Sequence, residues 1–341
     1  MSKIIMVMNL KHEIDLSKYN IRTDLMIENS NNGVVKDSNE LYKITLTNID
    51  KEQVSINKRQ GKYITLEFND ISDSDNFINI EGVLTKILKD FLKKYLKSNS
   101  NILIIGLGNE ASTPDSLGPK TVNLINVTRH IYLLDKLDPK YRIISAFKPG
   151  VMGNTGIETY DIIKSIKDSI KPDIIIIIDA LASKSIERVN KTIQISDTGI
   201  KPGSGIGNNR KEISFDTLKV PVISIGVPTV VDAVSVVADT INYMHKNYAF
   251  NKKYINNPIN RLISSTKINY LKENIQLNKD DKSYLLDLVG TLSENEIREL
   301  LYEVLTPIGY NLIVTPKEID FEIKKLSELI ANSLNKSLNI Y

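Results

Sequence analysis

Five consecutive isoleucines, Ile174–Ile178, are the feature that most limits the folds open to this chain. Because every position in the run is apolar, both faces of such a strand must be covered. That pattern is typical of parallel strands in a sheet with helices on each side. Similar runs occur at Ile102–Ile105 and Val222–Ile225. We therefore predict an α/β sandwich with a mostly parallel central sheet flanked by helices.

Helical stretches separate these runs and follow them. The predicted helices are Glu81–Leu96, Pro119–Tyr132, Ile157–Ile170, Val231–Met244, Lys282–Leu288, Glu294–Leu305 and Lys317–Leu338. Further strands are predicted at Ile143–Phe147 and Tyr310–Val314. Ser293 precedes one helix and is followed three residues later by Glu296, the spacing of a capping box.

Other segments depart from this alternation. Residues 41–80 begin with period-two patterning over Leu41–Phe68, which predicts a small antiparallel β subregion. Residues 188–215 are predicted to be an insertion between two core strands, with a strand at Thr192–Ser196 followed by a Gly-rich loop. Residues 246–280 are rich in Asn and Lys and are predicted to form a variable surface insertion. Residues 1–25 precede the Asn-rich stretch Glu28–Gly33 and look detachable.

Composition excludes several classes of protein. The 341 residues carry 44 Lys and Arg against 41 Asp and Glu, so the net charge of +3 gives no reason to expect binding to nucleic acid. The absence of cysteine excludes disulfides, thiol nucleophiles and Cys-ligated zinc, and it fits a reducing cytoplasm. No apolar run reaches the roughly 18 residues needed to span a bilayer. We expect a soluble, intracellular protein without membrane contacts.

Three familiar motifs are incomplete. Gly106 and Gly108 follow a strand, but position 111 is alanine where the dinucleotide-binding fingerprint needs a third glycine. The segment Leu117–Thr121 lacks the spacing of a P-loop. Ser204 lies directly between two glycines, which is not the spacing of a nucleophile elbow.

Two aspartates remain as candidates for chemistry. Asp179 directly follows the isoleucine run, and Asp115 lies in the loop after Ile102–Ile105. The carboxyl ends of parallel strands meet at one edge of a sheet, so both side chains are expected in one crevice. Two close carboxyl groups share a proton, and one then serves as a base toward water. The structural alternatives are a helix N-cap for Asp115 and a strand-end turn for Asp179.

The Gly-rich loop Gly199–Gly207 is flanked by cations at Lys201, Arg210 and Lys211. Glycine lets backbone N–H groups approach an anion, which would suit a phosphate. The loop would equally suit a cover over a cleft that presents these cations to acidic groups of a peptide. A purely structural loop is the third interpretation.

Longer strings resemble one known family, the germination proteases of endospore-forming bacteria, over nearly the full length of the chain. The matching motifs are Ile104–Lys120, Lys148–Thr159, Lys171–Glu212, Val220–Val236 and Val314–Asp320. The resemblance implies a fold similar to that of the hydrogenase-maturation peptidases and related to phosphorylase-like folds. It also implies an endopeptidase that degrades small acid-soluble spore proteins in the spore core or forespore cytoplasm when a spore germinates.

The same resemblance implies a homotetramer made as a zymogen that processes itself. The family cuts after an acidic residue that precedes a hydrophobic one, and Asp24-Leu25 has this composition. Residues 1–24 would then be the pro-segment and residues 25–341 a single peptidase domain. One departure is Met26, where the family usually has a small residue.

By motif, the two aspartates proposed as catalytic in the family correspond to Asp115 and Asp179. Glu110 stands where the family usually has an aromatic residue, and we expect its charge to raise the pKa of Asp115. Arg188, Lys201, Arg210 and Lys211 are candidates to receive the acidic side chain of a substrate.

The resemblance leaves two other interpretations open. Relatives with this fold recognise a metal in their substrate, so a metal-dependent peptidase is one alternative, and a non-catalytic binding paralogue is the other. Zinc favours nitrogen and sulfur ligands that are scarce here. We therefore expect no tightly held cofactor, and a loosely bound Ca²⁺ on carboxylates stays compatible with the sequence.

Overall fold

The computed structural model describes residues 23–30, 32–53, 59–203, 210–254, 277–305 and 312–339. The strands in these ranges are β1 (Val34–Ser38), β2 (Tyr42–Ile49), β3 (Gly61–Phe68), β4 (Asn101–Gly106), β5 (Ile143–Phe147), β6 (Ile174–Ser183), β7 (Thr192–Ser196), β8 (Val222–Asp232) and β9 (Ile313–Val314). The helices are α1 (Met26–Asn29), α2 (Ser74–Leu92), α3 (Leu117–Val122), α4 (Arg129–Tyr132), α5 (Met152–Thr155), α6 (Thr159–Ile170), α7 (Phe215–Leu218), α8 (Ala233–Tyr254), α9 (Lys279–Thr291), α10 (Glu294–Leu305) and α11 (Ile319–Leu338). None of these helices combines the length and apolar character needed to cross a membrane.

The strands form one mixed sheet in the order β1-β2-β3-β7-β8-β6-β4-β5, and β9 pairs with the end of β8. Strands β8, β6, β4 and β5 run parallel to one another, while the remaining pairs are antiparallel. The predicted α/β fold with a mostly parallel centre is therefore confirmed.

Successive side chains of the isoleucine run point to opposite faces of the sheet, and both faces are covered. Ile174, Ile176 and Ile178 pack in a large cluster with α2 and α11, and all three are fully buried. Ile175 and Ile177 point to the opposite face, where they pack in a second cluster with α6 and α7. Burying every side chain of the run removes a large apolar area from water, at about 25 cal/mol per Å².

The predicted antiparallel region is one end of this same sheet. Strands β1, β2 and β3 form a meander, and β3 pairs antiparallel with β7 in the register Leu66 to Ile193. The last part of the predicted 41–80 region is helical, because α2 begins at Ser74 and not at Glu81. Asp73 fixes this start by accepting hydrogen bonds from the backbone N–H groups of the second and third residues after it.

The strand predicted at Thr192–Ser196 within the insertion at 188–215 is confirmed as β7. β7 lies between β3 and β8 and joins the antiparallel end to the parallel centre. Its side chains are buried along the whole strand. Residues 204–209 of the Gly-rich loop, including Ser204, lie outside the described residues.

The single helix predicted over Pro119–Tyr132 is wrong, since two short helices, α3 and α4, lie there. Thr128 causes the break. Its N–H donates to the carbonyl of Ile144 on β5, and its hydroxyl accepts from the N–H of the same residue. A residue bonded to a neighbouring strand in this way cannot also continue a helix.

Toward the C-terminus the predictions are partly confirmed. α10 begins at Glu294 as predicted, and Ser293 and Glu296 form the predicted reciprocal cap. The first nine residues of the predicted surface insertion, 246–280, are helical, because α8 continues to Tyr254. Residues 255–276 of that prediction lie outside the described ranges.

Candidate active site

The site is a cleft of about 370 Å³ at the edge of the sheet where β4 ends. β4 stops at Gly106, which pairs with Ile178 on β6. β6 itself continues to Ser183 because β8 runs beside it over this length. Asp179 is thus the first residue of β6 beyond the end of β4, and its side chain lines the cleft.

Asp179 and Asp115 both line this cleft, as the sequence predicted. Asp179 is only 7% exposed, and its Oδ1 accepts the N–H of Ala180 at 3.0 Å. The strand-end turn offered as its alternative role is wrong, since the residue lies inside β6. Burial, reinforced by the nearby charges of Asp115 and Asp24, holds the pKa of Asp179 well above its ordinary value.

Asp115 is held by its own loop. It closes a 3₁₀ turn, Thr113–Asp115, and its Oδ2 accepts the N–H of Asn109 at 2.8 Å. The alternative role as a helix cap is wrong, because the carboxylate does not bond to the first turn of α3. Burial raises the pKa of Asp115, and the hydrogen bond from Asn109 partly opposes that shift.

Gly108 and Gly118 position this loop. In the sequence these glycines were compared only with nucleotide-binding motifs. Gly108 adopts φ +112°, and a Cβ there would lie 2.0 Å from the backbone oxygen of Asp115. A Cβ on Gly118 would lie 2.3 Å from the oxygen of Leu107. Both positions therefore need glycine so that the Asp115 loop can fold back onto the end of β4.

Glu110 does not influence Asp115 as predicted. Its carboxylate forms an ion pair of 2.8 Å with Lys148 and accepts from the side-chain amide of Asn123. The hydrogen bond from Lys148 lowers the pKa of Glu110 itself. The raised pKa of Asp115 comes from burial, so the expected direction is confirmed but the expected cause is wrong.

Asp24 is a third carboxyl group in the cleft, and its place there was not predicted. Its N–H donates to the carbonyl of Ala182 at 3.1 Å, and its Oδ2 accepts the N–H of Ala182 at 3.0 Å. The side-chain amide of Gln194 donates to its backbone oxygen at 3.0 Å. The residue on the N-terminal side of the predicted processing bond therefore lies against β6, three residues beyond Asp179.

The residues after Asp24 are buried and tied down. Leu25 is 0% exposed, and Met26 packs with Ile49 and Tyr63. Met26 thus fills an apolar site although the family usually has a smaller residue. Glu28 on α1 accepts hydrogen bonds from the Ser183 hydroxyl at 2.8 Å and the Lys184 N–H at 2.7 Å.

The four predicted substrate cations fall into two groups. Lys201 and Arg210 line the cleft, and Arg210 lies 3.8 Å from Glu158. Arg188 is not part of the lining, since it pairs with Glu28 and Glu67 at 3.2 Å each and so anchors α1 to the sheet. Lys211 pairs with Asp161 at 3.0 Å on the surface.

A metal centre is not evident in the part of the chain that the structure describes. No group of three or more His, Asp or Glu side chains there is arranged to hold a metal ion. The chemistry available to the described cleft is that of paired carboxyl groups with different proton affinities, which suits general acid and base catalysis.

Comparison with known proteins identifies the family of the chain. The germination protease family model matches residues 12–340. The chain is 42% identical to the germination protease of Geobacillus sp. (strain WCH70) and 44% identical to that of Bacillus cereus (strain AH187). Each match covers 97% of this chain and 96% of the relative.

Among solved structures, a hydrogenase maturation protease, HycI, from Thermococcus kodakarensis matches 42% of this chain and 80% of its own length. The TM-score is 0.27 and the identity 15%. At 42–44% identity over 97% of the chain, the sequence matches alone establish the family. The chain belongs to the germination protease family.

Proposed function

We propose that the chain is an endopeptidase in which Asp115 and Asp179 activate water. It would cut after an acidic residue that precedes a hydrophobic one, in small acid-soluble spore proteins, within the spore core during germination. The observation that carries the proposal is the cleft in which the buried Asp179 and the half-buried Asp115, both of raised pKa, lie with a third acidic residue, Asp24, of the same chain.

The environments of the two aspartates suggest their roles. Asp179 is the more deeply buried, and its pKa is raised by neighbouring carboxylates as well as by burial, so it keeps the shared proton. Each aspartate accepts a backbone N–H, but Asp115 is less buried, so its ionised form is disfavoured less than that of Asp179. Asp115 would therefore remove a proton from water, and Asp179 would donate one to the leaving nitrogen.

The processing of a zymogen follows from the same arrangement. The Asp24-Leu25 bond has the proposed specificity, and Asp24 lines the cleft of its own chain. Residues 1–24 would leave as a pro-segment when this bond is cut. Lys201 and Arg210 would meet the acidic side chains of substrates, since both line the cleft.

The first experiment is to incubate the purified chain under mildly acidic, dehydrating conditions and determine its N-terminus by mass spectrometry. Asp179→Asn serves as the control. A new N-terminus at Leu25 in the wild type alone would support self-processing by this cleft. Absence of processing, together with no cleavage of a small acid-soluble spore protein, would overturn the proposal and favour a binding role.

The proposed reaction needs no resident metal. Loss of cleavage with a chelator and its rescue by one divalent metal would instead indicate the metal-dependent alternative. If a loosely bound Ca²⁺ only aids assembly, a chelator should leave cleavage unchanged and should lower the Tm. The proposed homotetramer is tested in the same samples by light scattering after size-exclusion chromatography.

A further inference from the structure

Gln194 is a buried amide side chain that lies two strands away from Asp179. On β7 it pairs with Gly226 of β8, and Asp179 on β6 pairs with the same glycine from the other side. Residues that lie opposite one another on neighbouring strands point to the same face of a sheet. Gln194 and Asp179 therefore point to one face of the sheet, and the side chain of Leu181 from β6 lies over the glycine between them.

On this face of the sheet, the chain segment from Asp24 to Met26 is bound by both ends of the Gln194 amide. Nε2 donates to the carbonyl oxygen of Asp24 at 3.0 Å, and Oε1 accepts the N–H of Met26 at 2.6 Å. These two contacts bracket Leu25, which is fully buried. The Asp24-Leu25 peptide is therefore held in one register, and its carbonyl oxygen already carries a hydrogen bond.

The other contacts of Asp24 fix the acidic side chain separately. The N–H of Ala182 binds its Oδ2, and the carbonyl of Ala182 accepts its N–H. The carboxylate and the carbonyl of one residue thus have different partners, on β6 and on β7. With separate partners, the side chain of a bound acidic residue can be recognised while water attacks its carbonyl carbon.

We infer that Gln194 is the residue that binds and polarises the carbonyl oxygen of the bond to be cut. The inference rests on the proposed function, and it adds an electrophilic partner to the two aspartates. A donor aimed at the oxygen where negative charge develops is commonly the largest single contribution to acyl-transfer catalysis.

The step balances as a hydrolysis. The water oxygen bonds to the carbonyl carbon of Asp24 while Asp115 takes one water proton, and negative charge grows on the oxygen that Gln194 contacts. The C–N bond to Leu25 then breaks, and Asp179 gives its proton to the departing nitrogen. The products are a carboxyl group at Asp24 and a free amine at Leu25, and the two aspartates have exchanged roles.

The test follows the first-order rate of self-cleavage at Asp24-Leu25 in the full chain by intact mass. Gln194→Met keeps the length of the side chain but removes the donor, and we expect cleavage to slow about 10²-fold. Ser196→Ala is the matched control. Its hydroxyl bonds to Ser224 and Thr198 on the same part of the sheet, and we expect a rate within about threefold of wild type.

Gln194→Glu provides a readout that a merely structural role would not give. A protonated glutamic acid can donate to the Asp24 oxygen, whereas a glutamate cannot. The rate of Gln194→Glu relative to wild type should therefore fall as the pH rises through the titration of the new carboxyl group. This variant also keeps the inference testable if Gln194→Met fails to fold, which the Tm reports.

Two outcomes separate the inference from the proposed function. If Asp179→Asn blocks cleavage while both Gln194 variants cleave within about threefold of wild type at every pH, the Gln194 inference is overturned and the aspartate mechanism stands. If Asp179→Asn itself cleaves at the wild-type rate, the proposed function fails first, whatever the Gln194 variants do.

Discussion

The backbone N–H of Asn109 donates to Asp115 twice, to Oδ2 at 2.8 Å and to the main-chain oxygen at 3.0 Å. This shared donor closes the loop that follows β4 and fixes the direction of the Asp115 carboxylate. The loop closes only because Gly108, next to Asn109, adopts a conformation with positive φ.

Gly108→Ala should disrupt this loop. The new Cβ would lie 2.0 Å from the Asp115 backbone oxygen, and alanine at φ +112° is strained, so we expect unfolding to become easier by about 1–3 kcal/mol. Cleavage should fall at least tenfold as Asp115 moves. Gly82→Ala on α2 is the control, because a Cβ there would meet no described atom within 4 Å beyond the backbone of its own helix. Equal activity of the two variants would show that the loop does not position Asp115.

Asp115→Asn and Asp179→Asn should each reduce cleavage of a peptide with an acidic–hydrophobic bond by about 10²–10⁴-fold, because each removes one partner of the proton transfer. The measurement is kcat/KM with purified chains of confirmed fold. Asp161→Asn is the control, since Asp161 is exposed and pairs with Lys211 outside the cleft. Losses below about threefold for both cleft variants would rule out the paired-carboxyl mechanism.

The rate of cleavage should show a bell-shaped dependence on pH. It should fall at low pH, where Asp115 becomes protonated and can no longer accept a proton from water. It should also fall as the pH rises through the raised pKa of Asp179, where the proton donor is lost. A kcat/KM profile that stays flat as the pH rises from acid to alkaline conditions would contradict this assignment.

Stability should depend on pH through Asp179. A carboxyl group whose pKa is raised by folding binds more protons in the folded state, so its contribution to stability is lost as the pH rises from its ordinary value through its raised one. The Tm difference between Asp179→Asn and wild type should therefore become more positive with rising pH. Asp24→Asn removes one charge that raises the pKa of Asp179, so it should move the wild-type decline to lower pH. An unchanged Tm difference across the range would refute the linkage.

Arg188→Ala should act on stability more than on substrate binding. Arg188 is 29% exposed, and its partner Glu28 is nearly buried at 4%, so losing the pair should cost about 1–2 kcal/mol in urea unfolding. Lys211→Ala removes a cation from an exposed pair and should change stability by at most about 0.5 kcal/mol. A raised KM for Arg188→Ala, with stability unchanged, would restore its predicted role at the substrate.

The sequence predicted the parallel centre and the pair Asp115 and Asp179 because both depend on local pattern. The isoleucine run identifies a buried strand, and Asp179 directly follows that run, although the strand itself continues to Ser183. β7 and Gln194 were not predicted as part of the site, since their importance comes from pairing with strands distant in the chain. The contacts of Arg188 were not predicted for the same reason. Its charge is visible in the sequence, but its partners, 160 and 121 residues away, are not.

The position of Asp24 affects how free peptides would bind in this cleft. A segment of the same chain competes with free substrate at an effective concentration on the order of mM, set by its tether and not by the amount of protein present. In an uncut chain, free peptides that bind more weakly than the tethered segment would therefore be excluded from the cleft, although Asp115 and Asp179 are in place. The proposed cut at Asp24-Leu25 would remove the competitor without any change in the shape of the sheet.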